Sequence, residues 1–302
     1  MDYPAKIILF GEYGILLNSK ALAIPYPRFT GRFRFPEKMS AGNPSQDAVV
    51  SNGAIAQLIH YFMAHSEEFK FLDIQHFESD IKHGLYFDSS IPSGSGLGSS
   101  GALSAAIFDR YSIGGHQIDL LLVKSYLAAI ESCFHGVSSG IDPFISWIKK
   151  PILLGNMTTP DIAVDLSPFF KTYTLFLIDS HSPGNTGVLV NQFMEKYQQS
   201  DFKELIDHQY IPAINQTIDA LLAADFSTFE QLLCSYSQIQ LAHFLPMIPQ
   251  KMISHFSHGI ETGCFYLKIC GSGGGGFVLG ISRERVKAET YFNLNHLDYT
   301  VV

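Results

Sequence analysis

The chain has 302 residues, 46% of them hydrophobic and 16% charged, which is enough apolar material for a well-buried core and too little charge for a disordered chain. Twenty basic against 28 acidic side chains leave a net charge of −8, which argues against a nucleic-acid partner but leaves room for a local anion site. Four cysteines without a C-x-x-C pair, an N-terminal apolar run interrupted by Lys6 and Glu12, and no long uncharged window predict a cytoplasmic protein without disulfide framework, signal peptide or membrane span.

In chain order, "KIILFGEYGILL" (Lys6 to Leu17) reads as a strand, a turn at Gly11–Glu12 and a second short strand. "TGRFRFP" (Thr30 to Pro36) alternates apolar and basic residues, as an exposed-face strand does. Ser45 to Ser66 has helical content with a break expected near Asn52–Gly53. "FLDIQHFESDI" and "GLYFDSSI" are expected as strands ahead of a glycine loop, "IPSGSGLGSSGALSAA" (Ile91 to Ala106). From Gly101 the run suits a tightly packed helix, and His116 to Gly136 a second one with Gly136 as its stop. "VSSGIDPFIS" leads into a helix or a strand, and "YTLFLIDS" (Tyr173 to Ser180) is the best buried strand of the chain. Helices are expected over 184–198 and 201–245, and "CFYLKICGSGGGGFVLGIS" reads as strand, glycine turn, strand. Strand pairs mixed with helices point to an α+β fold rather than a doubly wound parallel sheet. The expected division is an N-terminal domain over 1–165 and a C-terminal domain over 166–302.

The two glycine-rich loops carry the first chemical signal. Without a Cβ, glycine lets backbone amides converge on a ligand, and a helix N-terminus adds donors and partial positive charge. Gly94 to Ser100, directly ahead of a helix, therefore suits a phosphate, and Ser99 and Ser100 add hydroxyls at the helix start. G-x-G-x-x-G occurs at Gly96–Gly101 and again at Gly271–Gly276, but a dinucleotide fold wants the glycines immediately after a strand in a βαβ unit; in the first match a polar loop, "DSSIPS", intervenes, and in the second the sequence continues as a strand. Neither loop contains G-K-[ST], which excludes a Walker A loop, and only 26 residues follow Gly276, too few for a protein-kinase catalytic lobe. A plain hairpin turn explains "GSGGGG" equally well, and a surface loop is the competing reading of "SGSGLGSSGA".

"AKIILFGEYGIL", "IPSGSGLGSSGALSAA" and "KICGSGGGGFVLG" resemble, in this order, the three motifs of the GHMP kinases, the second being the most specific. The likeness spans nearly the whole chain. Within the family it is nearest to the mevalonate kinases, through "KIILFGEYGILLNSKALAI", "HGVSSGIDPFIS", the eleven-residue spacing of Glu131 and Asp142, and "SPGNTGVLV" with Thr186. The resemblance implies a ribosomal-protein-like α+β N-terminal domain that binds ATP, a ferredoxin-like C-terminal domain, and ATP-dependent phosphorylation of a small alcohol. Several positions depart from the family pattern. Pro4-Ala5-Lys6 stands for Pro-Gly-Lys, Tyr13 for a frequent histidine, and Gly101 for an alanine usual in mevalonate kinases, while phosphomevalonate kinases often have glycine there.

The resemblance also assigns roles. Asp142, between Gly140 and Pro143, becomes the base for the acceptor hydroxyl, although Asp before Pro is equally a helix N-cap. Lys6, in an otherwise apolar stretch, would contact Asp142 and the acceptor oxygen; an edge-strand lysine with its ammonium in water is the competing reading. Ser100 and Glu131 would each give Mg²⁺ an oxygen, with ATP phosphates completing the shell. Gly94, Ser95, Gly96, Leu97, Gly98, Ser99 and Ser100, supported by Gly273 and Gly274, would hold ATP, and Glu12, Tyr13 and Thr186 would meet the acceptor. The partner implied is a small-molecule alcohol, mevalonate first, with phosphomevalonate or another sugar or alcohol left open. Nucleic acid and membrane are not expected, and a homodimer is open. A ligand-binding sensor of the same fold that has lost catalysis is the non-enzymatic alternative, against which stands the joint presence of Lys6, Ser100, Glu131 and Asp142.

Overall fold

The computed structural model describes residues 1–36, 46–114, 119–155, 160–182, 184 and 186–302. The side chains of Asp47, Ala48, His135 and Thr186 lie outside the described set. The chain forms two compact units, each assembled from separated stretches. One holds Met1–Lys6, Pro25–Pro92 and Gly98–Lys149; the other holds Ile7–Ile24, Ser93–Leu97 and Lys150–Val302.

In the first unit, β1 (Tyr3–Phe10) supplies its opening residues and β2 (Ala21–Arg34) its later half. The chain continues through α1 (Gln46–Ala64), α2 (Ile74–Lys82), β3 (Tyr86–Ser89), α3 (Ser99–Tyr111), α4 (Leu120–His135) and α5 (Ile141–Ile148). β3 pairs antiparallel with β2, from Gly31 opposite Ser89 to Arg34 opposite Tyr86. α3 packs against both α4 and α5. Its buried face is built from small residues, Gly101, Ala102, Ala105 and Ala106, so the helices approach closely around Phe108, Ile130 and Phe144.

Two sequence expectations change in this unit, and one left open is resolved. "FLDIQHFESDI" contains α2 instead of a strand: Ile74, Phe77 and Ile81 recur at helical spacing, and the Asp73 side chain accepts the His76 amide hydrogen as an N-cap. α1 runs unbroken through Asn52–Gly53, because the Asn52 side chain donates to the Ile81 and Leu85 carbonyls instead of its own backbone. "VSSGIDPFIS" resolves as the helical alternative, α5.

The second unit holds the later part of β1 and the start of β2, then β4 (Ile152–Leu154), α6 (Ser167–Thr172), β5 (Thr174–Asp179) and α7 (Thr186–Tyr197). α8 (Ser200–Leu205), α9 (Ile211–Leu222), α10 (Phe226–His243) and α11 (Ile253–Thr262) follow, then β6 (Tyr266–Ile269), β7 (Phe277–Ser282), α12 (Arg285–Leu294) and β8 (Tyr299–Val301). β4 pairs antiparallel with Ala21–Ala23 of β2. The second short strand expected before Leu17 is a 3₁₀ turn, Gly14–Leu17, entered through Tyr13 at φ +59°. A separate sheet has the order β6-β7-β5-β8, with every pair antiparallel. Numbered within this sheet in chain order, that is second, third, first, fourth: the ferredoxin-like arrangement. Leu175, Phe176, Leu177 and Ile178 of β5 are buried at its centre, as expected of "YTLFLIDS". Among the described residues no helix is long and apolar enough to cross a membrane.

Candidate functional site

The first unit gathers four of the residues singled out in the sequence. The Lys6 ammonium lies 2.9 Å from Asp142 Oδ2, with the lysine side chain 2% exposed and the aspartate 23%. Lys6 is therefore not an edge lysine with its charge in water. Asp142 is not the N-cap of α5 either: Gly140 holds that position in the left-handed region, and Asp142 falls in the first helical turn. Ser100, in the first turn of α3, donates to Glu131 Oε1 at 3.2 Å.

Glycines bring these groups together. A Cβ at Gly98, which has φ +79°, would lie 3.0 Å from Lys6 Cε and 3.4 Å from Asp142 Oδ2. At Gly101 a Cβ would lie 2.8 Å from the Asp142 carbonyl carbon and 2.9 Å from Pro143 N, both of them backbone atoms that cannot rotate away. The start of α3 thus rests directly on the start of α5. Gly101→Ala is expected to cost about 1–3 kcal/mol through overpacking, read as a lowered denaturation midpoint. An unchanged midpoint would mean the two helix starts have slack.

Glu131 is 5% exposed. Burial pushes its carboxyl up to about 8, the Asp142 charge adds to that, and the Ser138 hydrogen bond, the Lys6 charge and the Ser100 hydrogen bond oppose it. The folded chain then binds a proton that the unfolded chain, at the ordinary 4.5, releases. The linkage sign is negative: stability of the metal-free protein falls as pH rises from about 4.5 to about 8. Glu131→Gln should flatten that slope in thermal melts taken across the interval, and a slope that persists in the variant would exclude Glu131 as its source.

Sequence reasoning missed Ser138. Its hydroxyl donates to Glu131 Oε2 at 2.5 Å and accepts the Gly140 amide hydrogen at 2.9 Å. The doubled serine ahead of Gly-Ile-Asp was the available signal.

In the second unit the expected loop residues meet the expected glycine turn. Ser95 is buried, and a Cβ at Gly276 would lie 2.5 Å from Ser95 Cα. Gly96, at φ +80°, leaves its missing Cβ 2.5 Å from the Cys270 carbonyl oxygen. Leu97 is fully buried, whereas Gly94 is exposed. Gly273 packs against the Met247 carbonyl and Gly274 against Leu189. Gly96, Gly273 and Gly276 permit backbone to lie on backbone, and Gly274 makes room for the Leu189 side chain.

Glu12 and Tyr13 are buried in the same unit. Glu12 Oε1 pairs with the Lys268 ammonium and Glu12 Oε2 accepts from Tyr236 at 3.2 Å. The Tyr13 hydroxyl donates to the Ser272 carbonyl at 2.6 Å, and its ring lies against Phe193 and Phe244. Lys268 was not singled out, although a lysine inside "FYLKIC" is the same signal as Lys6 inside "AKIILF". Thr186 opens α7, and its side chain lies outside the described residues.

The residues fit a divalent cation in kind. Hydroxyl and carboxylate oxygens are hard donors, and a cation beside a buried carboxylate offsets the cost that raises its pKa. Among the described residues no three His, Cys, Asp or Glu side chains form a cage. Mg²⁺ needs none when phosphate oxygens and water share its shell.

Comparison with known proteins agrees with the motifs. The model of the GHMP kinases N terminal domain matches residues 45–149, the stretch that carries α3, Glu131 and Asp142. A mevalonate kinase of Thermococcus sibiricus is 25% identical, with 93% of this chain and 88% of that protein covered. The Methanococcus jannaschii mevalonate kinase structure has a TM-score of 0.65 at 18% identity, covering 100% of this chain and 96% of that one. The Streptococcus pneumoniae phosphomevalonate kinase structure, in complex with phosphomevalonate and AMPPNP, has the same TM-score, 0.65, at 14% identity, covering 100% and 99%. Two kinases of different name fit equally well, so the fold does not select an acceptor. GHMP kinases are phosphotransferases that use ATP with Mg²⁺. In its motifs, in the match of residues 45–149 to the family's N terminal domain and in its full-length fold, the chain is similar to the GHMP kinases, mevalonate kinases among them.

Proposed function

We propose that the chain is a cytoplasmic ATP-dependent kinase that phosphorylates a primary alcohol, with mevalonate as acceptor and 5-phosphomevalonate as product for isoprenoid precursor synthesis. The observation that carries this reading is the pair of buried Lys6 with half-buried Asp142 in the same compact unit as the Ser100–Glu131 contact. In it, residues 1–165 bind the nucleotide and 166–302 form the C-terminal domain.

Phosphoryl transfer requires reactants in position and neutralised charge more than covalent help. Ser100 and Glu131 would hold Mg²⁺, and Gly94 to Ser100, supported by Gly273 and Gly274, would hold the phosphates. Bound there, ATP·Mg²⁺ supplies the phosphoryl group and the divalent charge that offsets its oxygens. Lys6 holds Asp142 Oδ2, which orients the carboxylate so that Oδ1 receives the proton of the acceptor hydroxyl. The same ammonium stabilises the oxygen as it gains negative charge. Glu12, Tyr13 and Thr186 enter this reading as acceptor contacts.

A second reading, phosphomevalonate as acceptor, is favoured by Gly101, where the structure leaves no room for the alanine usual in mevalonate kinases. Purified protein with ATP, Mg²⁺ and, separately, mevalonate, phosphomevalonate and galactose decides between them by ADP release. Release with mevalonate is expected. Release with phosphomevalonate alone selects the second reading, and nucleotide binding without turnover on any acceptor selects the sensor.

A further inference from the structure

The geometry points to Ser138 as a positioning residue that holds the Glu131 carboxylate in register with the turn carrying Asp142. This inference rests on the metal role given to Glu131 above, and deepens it.

A hydroxyl has one hydrogen to donate and two lone pairs to accept with. The Gly140 amide, which can only donate, takes an accepting side of Ser138 Oγ at 2.9 Å. The hydroxyl hydrogen is then directed at Glu131 Oε2, 2.5 Å away. The Ser138 backbone is itself held, since its amide donates to Ser132 Oγ at 3.1 Å. Ser132 lies on α4 next to Glu131, so the loop is fastened to the helix that carries the carboxylate.

The other end of this link is equally fixed. Gly140 has φ +74°, and a Cβ there would lie 2.7 Å from the Lys124 carbonyl oxygen and 2.9 Å from Ala128 Cβ. The turn therefore presses on α4, and two residues later the chain reaches Asp142. One hydroxyl ties the carboxylate of α4 to the first turn of α5. Its hydrogen occupies Oε2, while Oε1 faces Ser100. The oxygen turned toward the start of α3 is the one this arrangement presents to a cation.

Outer partners of this kind fix the orientation of a metal-binding carboxylate, and their loss typically weakens metal binding about 10–100-fold. A purely structural serine would lower stability and leave cation affinity alone. The test compares wild type, Ser138→Ala, Ser138→Thr and Glu131→Gln for Mn²⁺ binding in the presence of a non-hydrolysable ATP analogue, read by electron paramagnetic resonance and not by turnover. Ser138→Cys, nearly the size of serine and a weak donor, accompanies the alanine variant in case truncation impairs folding, which thermal melts check. About tenfold weaker Mn²⁺ binding in Ser138→Ala or Ser138→Cys, with Ser138→Thr near wild type, is the expected result. Wild-type affinity in the alanine and cysteine variants, while Glu131→Gln binds weakly, overturns the role of Ser138 and leaves that of Glu131 standing. Equal weakening by threonine and alanine overturns it too, because the hydroxyl is then irrelevant. Unchanged binding in Glu131→Gln overturns the metal reading and the inference with it.

Discussion

Asp142→Asn is expected to lower kcat by about 10²–10⁴-fold, the usual contribution of a positioned general base, while the KM for ATP moves little. The asparagine keeps the shape of the carboxylate but has no oxygen able to take the hydroxyl proton. It also leaves the Lys6 ammonium, 2% exposed, without its anionic partner on α5. Stranding a fully buried charge costs about 3–5 kcal/mol. Asp142 is 23% exposed, so water reaches this pair and the cost here is lower. Turnover and unfolding must therefore be measured on the same preparations. A large loss of kcat at near-native stability supports the base; a kcat within a few-fold of wild type removes Asp142 from the chemistry. Lys6→Met in parallel separates the roles, because it deletes the positive charge and leaves the base in place. If Lys6 serves the developing oxygen, its removal lowers kcat as well and does not simply release Asp142 to work unaided.

Much of this arrangement is legible in the primary structure, for physical reasons that can be named. Lys6 stands out because an ammonium in an apolar run is costly unless something answers it, and in the fold Asp142 answers it. Asp142 is ambiguous locally, since Asp-Pro caps a helix as well as it serves a base. What settles its position is Gly140, which takes the cap because α4 leaves no room for a side chain there. The β6–β7 hairpin and the buried β5 are readable from apolar runs and glycine punctuation alone. The misreadings share one cause: a local pattern yielding to a distant partner. Asn52–Gly53 looks like a break until the asparagine finds carbonyls at Ile81 and Leu85. "FLDIQHFESDI" is rich in strand-favouring residues, but its apolar period of three to four wins once Phe77 and Ile81 are buried. The glycines of the last motif suit a phosphate loop on paper. In three dimensions Gly273 and Gly276 also meet the Met247 carbonyl and Ser95, contacts no window of sequence can display. Ser138 and Lys268 escaped notice because their partners are set by the packing of other elements.

Lys268→Met is expected to destabilise the chain by about 3–5 kcal/mol, the cost of leaving a buried charge unanswered. The Lys268 side chain is 0% exposed and that of Glu12 1%. The ammonium also donates to the Ile269 carbonyl at 2.7 Å and the Ile8 carbonyl at 3.3 Å. Around Glu12 the Tyr236 hydroxyl donates to Oε2, the Tyr210 hydroxyl donates to the Glu12 carbonyl, and the two phenols meet at 3.0 Å. Burial first, then Tyr210 and Glu12, push the Tyr236 phenol well above its ordinary value, so it remains a donor at any working pH. Methionine fills the volume of the lysine stem but supplies none of the positive charge, and of the partners named here the carboxylate keeps only the Tyr236 phenol. Neutralising it should then restore most of the loss. Lys268→Met with Glu12→Gln is expected to be more stable in urea than the single lysine variant, a coupling of the kind that interacting neighbours show. Losses that simply add would mean that the two residues stabilise the fold independently, and an unchanged midpoint in Lys268→Met would mean that the charge is not stranded. Either result would separate Glu12 from Lys268. The expected coupling instead makes the pair the fastening between the end of β1, where the first motif lies, and β6, which enters the glycine turn of the last. The Tyr13 hydroxyl, one residue on, already holds that turn at Ser272.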